Sequence, residues 1–449
     1  MKMDRIEQRI MKIIEDRKEE IAAMGRDIYA HAEMGFREYR TAGKVTEALE
    51  GLGIRCKTGL AVTGVKGYLK PTEPGEPVIA VVGEMDALPV DNHPYTNPVT
   101  GAAHCCGHNA QIAGLYGAAI ALSDPEVRES LGGNVAFLAV PSEEFVDIEF
   151  KNNLMEKGVI QFGGGKSELI RLGVFDDISA AIGHHITPDV PGFILANGST
   201  NGFVNKIAYF HGKAAHAASF PDRGADALNA ALLAMHSIDL QRETFRDEDS
   251  VRIHSFLPKA GEAMNIIADH SCIESSVRAK NIRAILDGER KYDRSVRAGA
   301  IGLGCEAEVI TIPGYLPTIP VKDTEVMEQV LLDLSKEEKE RGLDYPVQYR
   351  NADFHEAGST DFGEVSHILP LYQFRTGGYA GELHDAGIFV NDEQLAYIEP
   401  AKIFALTVYR MLKDGGKKIK EITEAFEPQM TKEEYLAYME KMKRTEWMK

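Results

Sequence analysis

Early in the chain, apolar positions recur at helical spacing: Ile6, Ile10, Ile13 and Ile14, then Ala42, Val45, Leu49 and Leu52. Gly51 and Gly53 punctuate the end of the segment. The pattern then changes to short runs with no polar interruption. Val78 to Val82 is wholly apolar and ends on Gly83, as a strand buried on both faces does. Val135 to Val140 repeats it, and Ile178 to Ile182 does so with one serine inside. Between the first two, the Ala/Leu-rich stretch Ile112 to Leu122 reads as a helix. Strand, helix, strand in this rhythm predicts the α/β class, a central sheet covered by helices.

Each apolar run is followed by polar residues that can do chemistry. Val82 leads to Gly-Glu-Met-Asp86, Val140 to Pro-Ser-Glu143-Glu144, and Ile182 to Gly-His184-His185. In an open α/β sheet, the carboxyl ends of the strands converge on one crevice. From about Gly198 the character shifts. Strand candidates (Ile207 to Phe210, Ile266 to Val277, Glu306 to Ile312) alternate with helical stretches (Ala225 to Ile238, Leu286 to Gly302). This divides the chain into 1–197, an inserted smaller unit over 198–314, and 315–449. The last part holds a helix over Thr324 to Glu340, a loop with Ser359-Thr360-Asp361, another with His384, and a helix over Glu399 to Leu412. The charged tail from Asp414 reads as a solvated helical extension, or else as an arm that contacts a partner.

Composition narrows the function classes. Of 449 residues, 44% are hydrophobic, enough to fill a real core. A formal charge of −18 argues against binding along a nucleic-acid backbone, which needs a basic surface. The start, MKMDRIEQRIMKIIEDRKEE, is charged throughout and lacks the apolar stretch of a signal peptide. No uncharged run approaches the roughly 18 residues of a membrane span. Five cysteines, two of them adjacent, make a poor disulfide framework and fit a reducing compartment. The expectation is a cytoplasmic protein with no membrane or nucleic-acid partner, in which Cys56, Cys272 and Cys305 serve as small buried hydrophobes.

The candidate chemistry starts at His104-Cys105-Cys106-Gly107-His108-Asn109. A thiolate and an imidazole suit a first-row metal, and Gly107 lets the backbone turn between them. Taken alone, Cys106-Gly107-His108 reads more often as a buried thiol beside a satisfied histidine. Glu143 and Glu144 divide naturally into one ligand and one general base, although a Glu-Glu pair is often only a solvated loop. With His185 and His384, the set Cys106, His108, Glu144, His185 and His384 offers five donors. It could hold two metals roughly 3.5–4 Å apart with a bridging water. Asp86 and Asn109 then read as residues that orient imidazoles.

The ordered motifs GEMDALP, HCCGHN, PSEE, GHH, GKAAHAA, ST-D and LHD resemble the aminoacylase and carboxypeptidase G type of metallo-amidohydrolase. The nearer resemblance is to the branch with indoleacetyl-amino-acid hydrolases and aminobenzoyl-glutamate hydrolase, in which the first ligand pair is also Cys-Gly-His. The resemblance runs from about Arg26 to Leu412. It implies a di-metal aminopeptidase-like catalytic domain with a mixed central sheet, and an inserted α+β lid and dimerisation domain. It implies two divalent ions, zinc or manganese, held by Cys106, His108, Glu144, His185 and His384, with Glu143 as base. It also implies that His216 polarises the scissile carbonyl, often in the dimer partner's active site, and that Asn265 and Arg278 contact the substrate carboxylate. Their bland readings are a strand-edge amide and a surface cation. Asn109, where many members have Asp, points to the subgroup that holds the second-subunit type of aminobenzoyl-glutamate hydrolase and dipeptidase-like members. Phe145 to Phe162 is longer than in close relatives and adjoins the base, where it would line the pocket. Three functions follow as expectations: hydrolysis of an N-acyl amino acid, a dipeptidase on the same machinery, or a metal-binding partner subunit with no turnover of its own. A homodimer is expected, with a hetero-oligomer as the alternative.

Overall fold

The computed structural model describes residues 3–448 and divides into two compact units. The first comprises Met1–Gly198, Ile319–Phe354 and Glu364–Gln429. It is built on an eight-stranded mixed sheet. The strand order is Cys56–Leu60, Gly64–Tyr68, Asn134–Val140, Val78–Glu84, Ala180–Ile186, Leu371–Thr376, Phe193–Ala196, Val347–Arg350. The four central strands, from Asn134–Val140 to Leu371–Thr376, are mutually parallel. Their carboxyl ends therefore lie along one margin of the sheet.

The apolar runs are buried as their composition demands. All seven residues of Val78–Glu84 and of Asn134–Val140 are buried, polar ends included. The helix His108–Leu122 is buried at every position, between the sheet and the helices Lys18–Tyr29 and Glu399–Ala425. The expected end of the last helix at Leu412 is where it breaks. Asp414, Gly415 and Gly416 take positive φ, after which a second helical stretch runs to Ala425. The third apolar run shows a larger difference. The strand is Ala180–Ile186, so His184 and His185 lie inside it rather than beyond it.

The second unit comprises Ser199–Thr318, His355–Gly363 and Met430–Lys449. Its five-stranded antiparallel sheet runs Arg252–Ala260, His270–Ala279, Gly202–His211, Glu306–Pro313, Arg444–Met448. The helices Ala227–Leu240 and Ile282–Gly302 share its core. The sequence pattern does not predict Arg252–Ala260, because this edge strand is largely exposed and lacks clean alternation. Nor is the charged tail a solvated extension. Lys432–Met442 is helical, Arg444–Met448 pairs with Glu306–Pro313, and Met442 and Met448 join the core. The boundary at 315 also changes, since 355–363 and 430 onward belong with the second unit. Arg444 pairs with Glu289 and lies 3.5 Å from Asp293, two carboxylates that also hold the fully buried Lys206. Burial pushes the Lys206 ammonium down to about 8, against the pull of Asp293. No helix among the described residues is long and apolar enough to cross a membrane.

Candidate metal centre and active site

The site lies in the first unit, at the carboxyl margin of the parallel strands. Gly107 sits at φ 81°, which lets the chain leave Cys106 and enter the His108–Leu122 helix without an intervening turn. A Cβ there would meet Ile186 at 2.6 Å, so glycine also permits close approach to the neighbouring strand. His108 opens the helix, with Nδ1 2.7 Å from the Asp86 main-chain oxygen and 3.4 Å from Asp86 Oδ1. That contact turns Nε2 inward.

Glu143 and Glu144 are presented by a constrained turn after the Asn134–Val140 strand. Ser142 takes φ 51°, unusual for a residue with a side chain, and donates its N–H to Glu38 Oε1 at 2.8 Å. The next two N–H groups donate to Asp86, from Glu143 at 3.0 Å and from Glu144 at 2.8 Å. Asp86 thus grips both the histidine helix and the acidic turn. Burial opposes its charge, but His108, the Glu144 N–H and the Lys151 ammonium hold its pKa below the usual value.

Alternation separates the two adjacent histidines. His184 is fully buried, stacks on Phe374 at 4.8 Å and meets Thr376 Oγ1 at 2.8 Å. His185 faces the other way, with Nε2 3.2 Å from Glu84 Oε2. His384 arrives from a loop at φ 64°, its N–H donated to the Cys105 carbonyl at 2.9 Å. Its Nε2 lies 3.4 Å from Glu144 Oε1. Donor atoms of Cys106, His108 and His185 lie within 4.8 Å of one another, as do those of Cys106, Glu144 and His384, and those of His108, Glu143 and Glu144. These overlapping triads join all five donors and Glu143 into one cluster.

The cluster fits a divalent metal. Among the described residues, His108 Nε2 and Glu144 Oε1 are buried with no hydrogen-bond partner, although Glu84 Oε2 is 3.0 Å from the former. Burial, with Glu144 adding to it, pushes the Cys106 thiol up to about 12, a proton that a bound cation would displace. Thiol, imidazole and carboxylate are donor types that divalent first-row metals accept.

Sequence reasoning misses Glu84. It is fully buried at the end of its strand, 2.5 Å from the Lys166 Nζ, and accepts from Gln111 Nε2 at 2.8 Å. Burial disfavours its charge, yet Lys166, His185 and His108 hold its pKa well below the ordinary range. An acidic residue ending an otherwise apolar strand is the signal that could have found it. Asn109 departs from its expected role. Among the described residues it bonds no imidazole; it donates to the Tyr397 hydroxyl at 3.1 Å and accepts from Tyr379 at 3.0 Å, behind the cluster.

The remaining predicted residues lie in the second unit. His216 is exposed, with Nδ1 accepting from the Ser219 N–H at 3.1 Å and the Ala218 N–H at 3.3 Å. That places its proton on Nε2. The loop carrying Asn265 is bound beside it through Ala217 N–H to the Asn265 carbonyl, 3.0 Å. Arg278 lies on the His270–Ala279 strand, 5.1 Å over the Phe203 ring and 3.3 Å from Ser359 Oγ.

The sequence pattern of peptidase family M20/M25/M40 matches residues 80–398, most of the chain. The chain belongs to this family. As an M20 member it is a metal-dependent hydrolase. It is 30% identical over 306 residues to the N-acetylcysteine deacetylase of Bacillus subtilis (strain 168), covering 66% of this chain and 74% of that protein. It is 25% identical over 385 residues to the Xaa-Arg dipeptidase of Mus musculus, covering 82% and 79%. Two solved structures share the fold of this chain. A dinuclear metal-binding peptidase from Bacillus subtilis superposes with a TM-score of 0.62 at 24% identity, covering 88% of this chain and 98% of that one. An aminobenzoyl-glutamate utilization protein from Klebsiella pneumoniae also gives 0.62, at 18% identity, covering 89% and 97%.

Proposed function

We propose that the chain hydrolyses the amide bond of an N-acyl amino acid or a dipeptide-like amide, with Glu143 as general base. The observation that carries this reading is the linked cluster of Cys106, His108, Glu144, His185 and His384 around Glu143. Those five side chains would hold two divalent ions, zinc or manganese, which supply Lewis acidity to acidify water and polarise a carbonyl. Glu143 takes the proton from the attacking water and passes it to the leaving amine. The Asp86 clamp on its N–H fixes where that carboxylate stands. His216, protonated on Nε2, donates to the carbonyl oxygen as negative charge develops there. Arg278 has no carboxylate partner among the described residues and would receive the substrate's free carboxylate, with Asn265. The relatives' names divide between acyl-amino-acid hydrolases and dipeptidases, so a dipeptide remains the second substrate class. The test is a screen of metal-reconstituted protein against N-acyl amino acids and dipeptides. Glu143→Gln should retain its metal and lose roughly 10²–10⁴ in kcat. Full turnover by that variant would remove Glu143 from the role.

A further inference from the structure

The segment after the acidic turn, expected from the sequence to line a pocket, also carries a buried cation. Its helix, Ile148–Glu156, carries Lys151, a lysine only 2% exposed. The ammonium donates to the main-chain carbonyl of Glu144 at 2.6 Å. It lies 4.8 Å from the centre of the Phe145 ring and 5.7 Å from that of Phe36. A lysine is almost never buried without a fixed partner, because desolvating the charge is costly. One such partner is the carbonyl of the peptide group between Glu144 and Phe145.

The helix is itself fastened. Arg37 pairs with Asp147, the residue preceding the helix, and its guanidinium stands 4.0 Å over the Phe150 ring. Gly163, at the far end of the segment, admits the Phe145 ring; a Cβ there would meet it at 2.8 Å. The acidic turn is therefore held from two directions. Asp86 takes the N–H groups of Glu143 and Glu144 from one side, and Lys151 takes the Glu144 carbonyl from the other.

We infer that Lys151 is a positioning residue for the metal centre: from the inserted helix it fixes the Glu144 peptide, and so aims the Glu144 carboxylate at the cation and the Glu143 carboxylate at the water. This rests on the reading of Glu144 as ligand and Glu143 as base. Lys151 acts through the backbone of the turn, by its bond to the Glu144 carbonyl.

The test titrates Mn²⁺ alone into metal-stripped protein, for the unmodified chain and for Lys151→Met, Lys151→Arg, Arg37→Ala and Glu144→Gln. Loss of an outer contact to a ligating group typically weakens metal binding by about 10–100-fold. Lys151→Met should fall in that range, and Lys151→Arg should recover most of the loss. Arg37→Ala loosens the helix from its outer side without emptying a buried position. It should weaken binding several-fold and keeps the inference testable if Lys151→Met does not fold. On a substrate from the screen, the same variants should lose kcat with KM changed by less than about threefold. Unchanged Mn²⁺ affinity in both folded variants, or a defect confined to KM, would overturn the inference and return the segment to the substrate pocket. Glu144→Gln separates the two layers. If it loses Mn²⁺ while Lys151→Met does not, the site reading stands and Lys151 is not a positioner. If Glu144→Gln binds normally, the site reading itself fails.

Discussion

Replacing Gly107 by alanine tests whether backbone geometry, and not only ligand identity, builds the metal centre. Two costs can be worked from the structure. At φ 81°, a residue with a Cβ carries about 1–2 kcal/mol of strain. The new Cβ would also stand 2.6, 2.8 and 2.9 Å from three carbons of Ile186, an overlap of the kind that costs about 1–3 kcal/mol in a packed core. Together these give about 2–5 kcal/mol. For a unit of this size, at about 2 °C per kcal/mol, the melting midpoint should fall by about 4–10 °C. Because Cys106 and His108 flank the strained residue, Mn²⁺ affinity measured by calorimetry should fall with it. Ile186→Ala removes all three clashing carbons. Combined with Gly107→Ala it should cost less than the sum of the single changes, by the about 1–3 kcal/mol of relieved overlap. A variant within about 2 °C of the parent with unchanged Mn²⁺ affinity, or strictly additive single effects, would refute the reasoning.

Further outcomes follow from other parts of the molecule. Lys402, fully buried, lies 2.5 Å from Glu15, 2.7 Å from Glu338 and 2.8 Å from Glu399; Lys402→Met should destabilise by about 3–5 kcal/mol at pH 8. Burial already raises Glu399 to about 7, and a raised acid gives stability that is present below the unfolded value near 4.5 and lost as pH rises toward 7. Removing the cation deepens that loss, so melts at pH 5.5 should show a smaller gap than at pH 8; a gap independent of pH would count against it. Deleting residues 430–449 takes Met442 and Met448 out of the core, a loss of about 3–6 kcal/mol of apolar burial, and should leave the second unit sensitive to limited proteolysis while the first stays resistant. His216→Asn should lower kcat by about 10²–10³ with Mn²⁺ affinity unchanged; normal kcat would remove His216 from the oxyanion role.

The α/β class was legible because strands buried on both faces must be apolar, and Val78 to Val82 and Val135 to Val140 are. The candidate donors stood out because an acidic pair follows Val135 to Val140 and adjacent imidazoles close the Ala180–Ile186 strand. Asn109 was misread because it adjoins His108 of the donor cluster, whereas the first helical turn points it backward onto Tyr379 and Tyr397. Glu84 went unnoticed because a buried carboxylate is explained only by partners distant in sequence, above all Lys166. The Arg444–Met448 strand was hidden for a related reason. Its charges looked solvated, and only the facing carboxylates of the Ile282–Gly302 helix show that Arg444 is paired.

That strand also sets an order of events during synthesis. The outer edge of Glu306–Pro313 has its partner in Arg444–Met448, about 130 residues further along the chain. At about 5–20 residues per second, a ribosome takes about 6–26 s to cover that distance. Throughout this interval the nascent sheet has an open edge, which can template pairing with another chain. Glu289 and Asp293 meanwhile lack the Arg444 guanidinium. A ribosome stalled anywhere between these strands would leave the second unit both unclosed and short of a cation, which marks this stretch of translation as the one where chaperone occupancy should be highest.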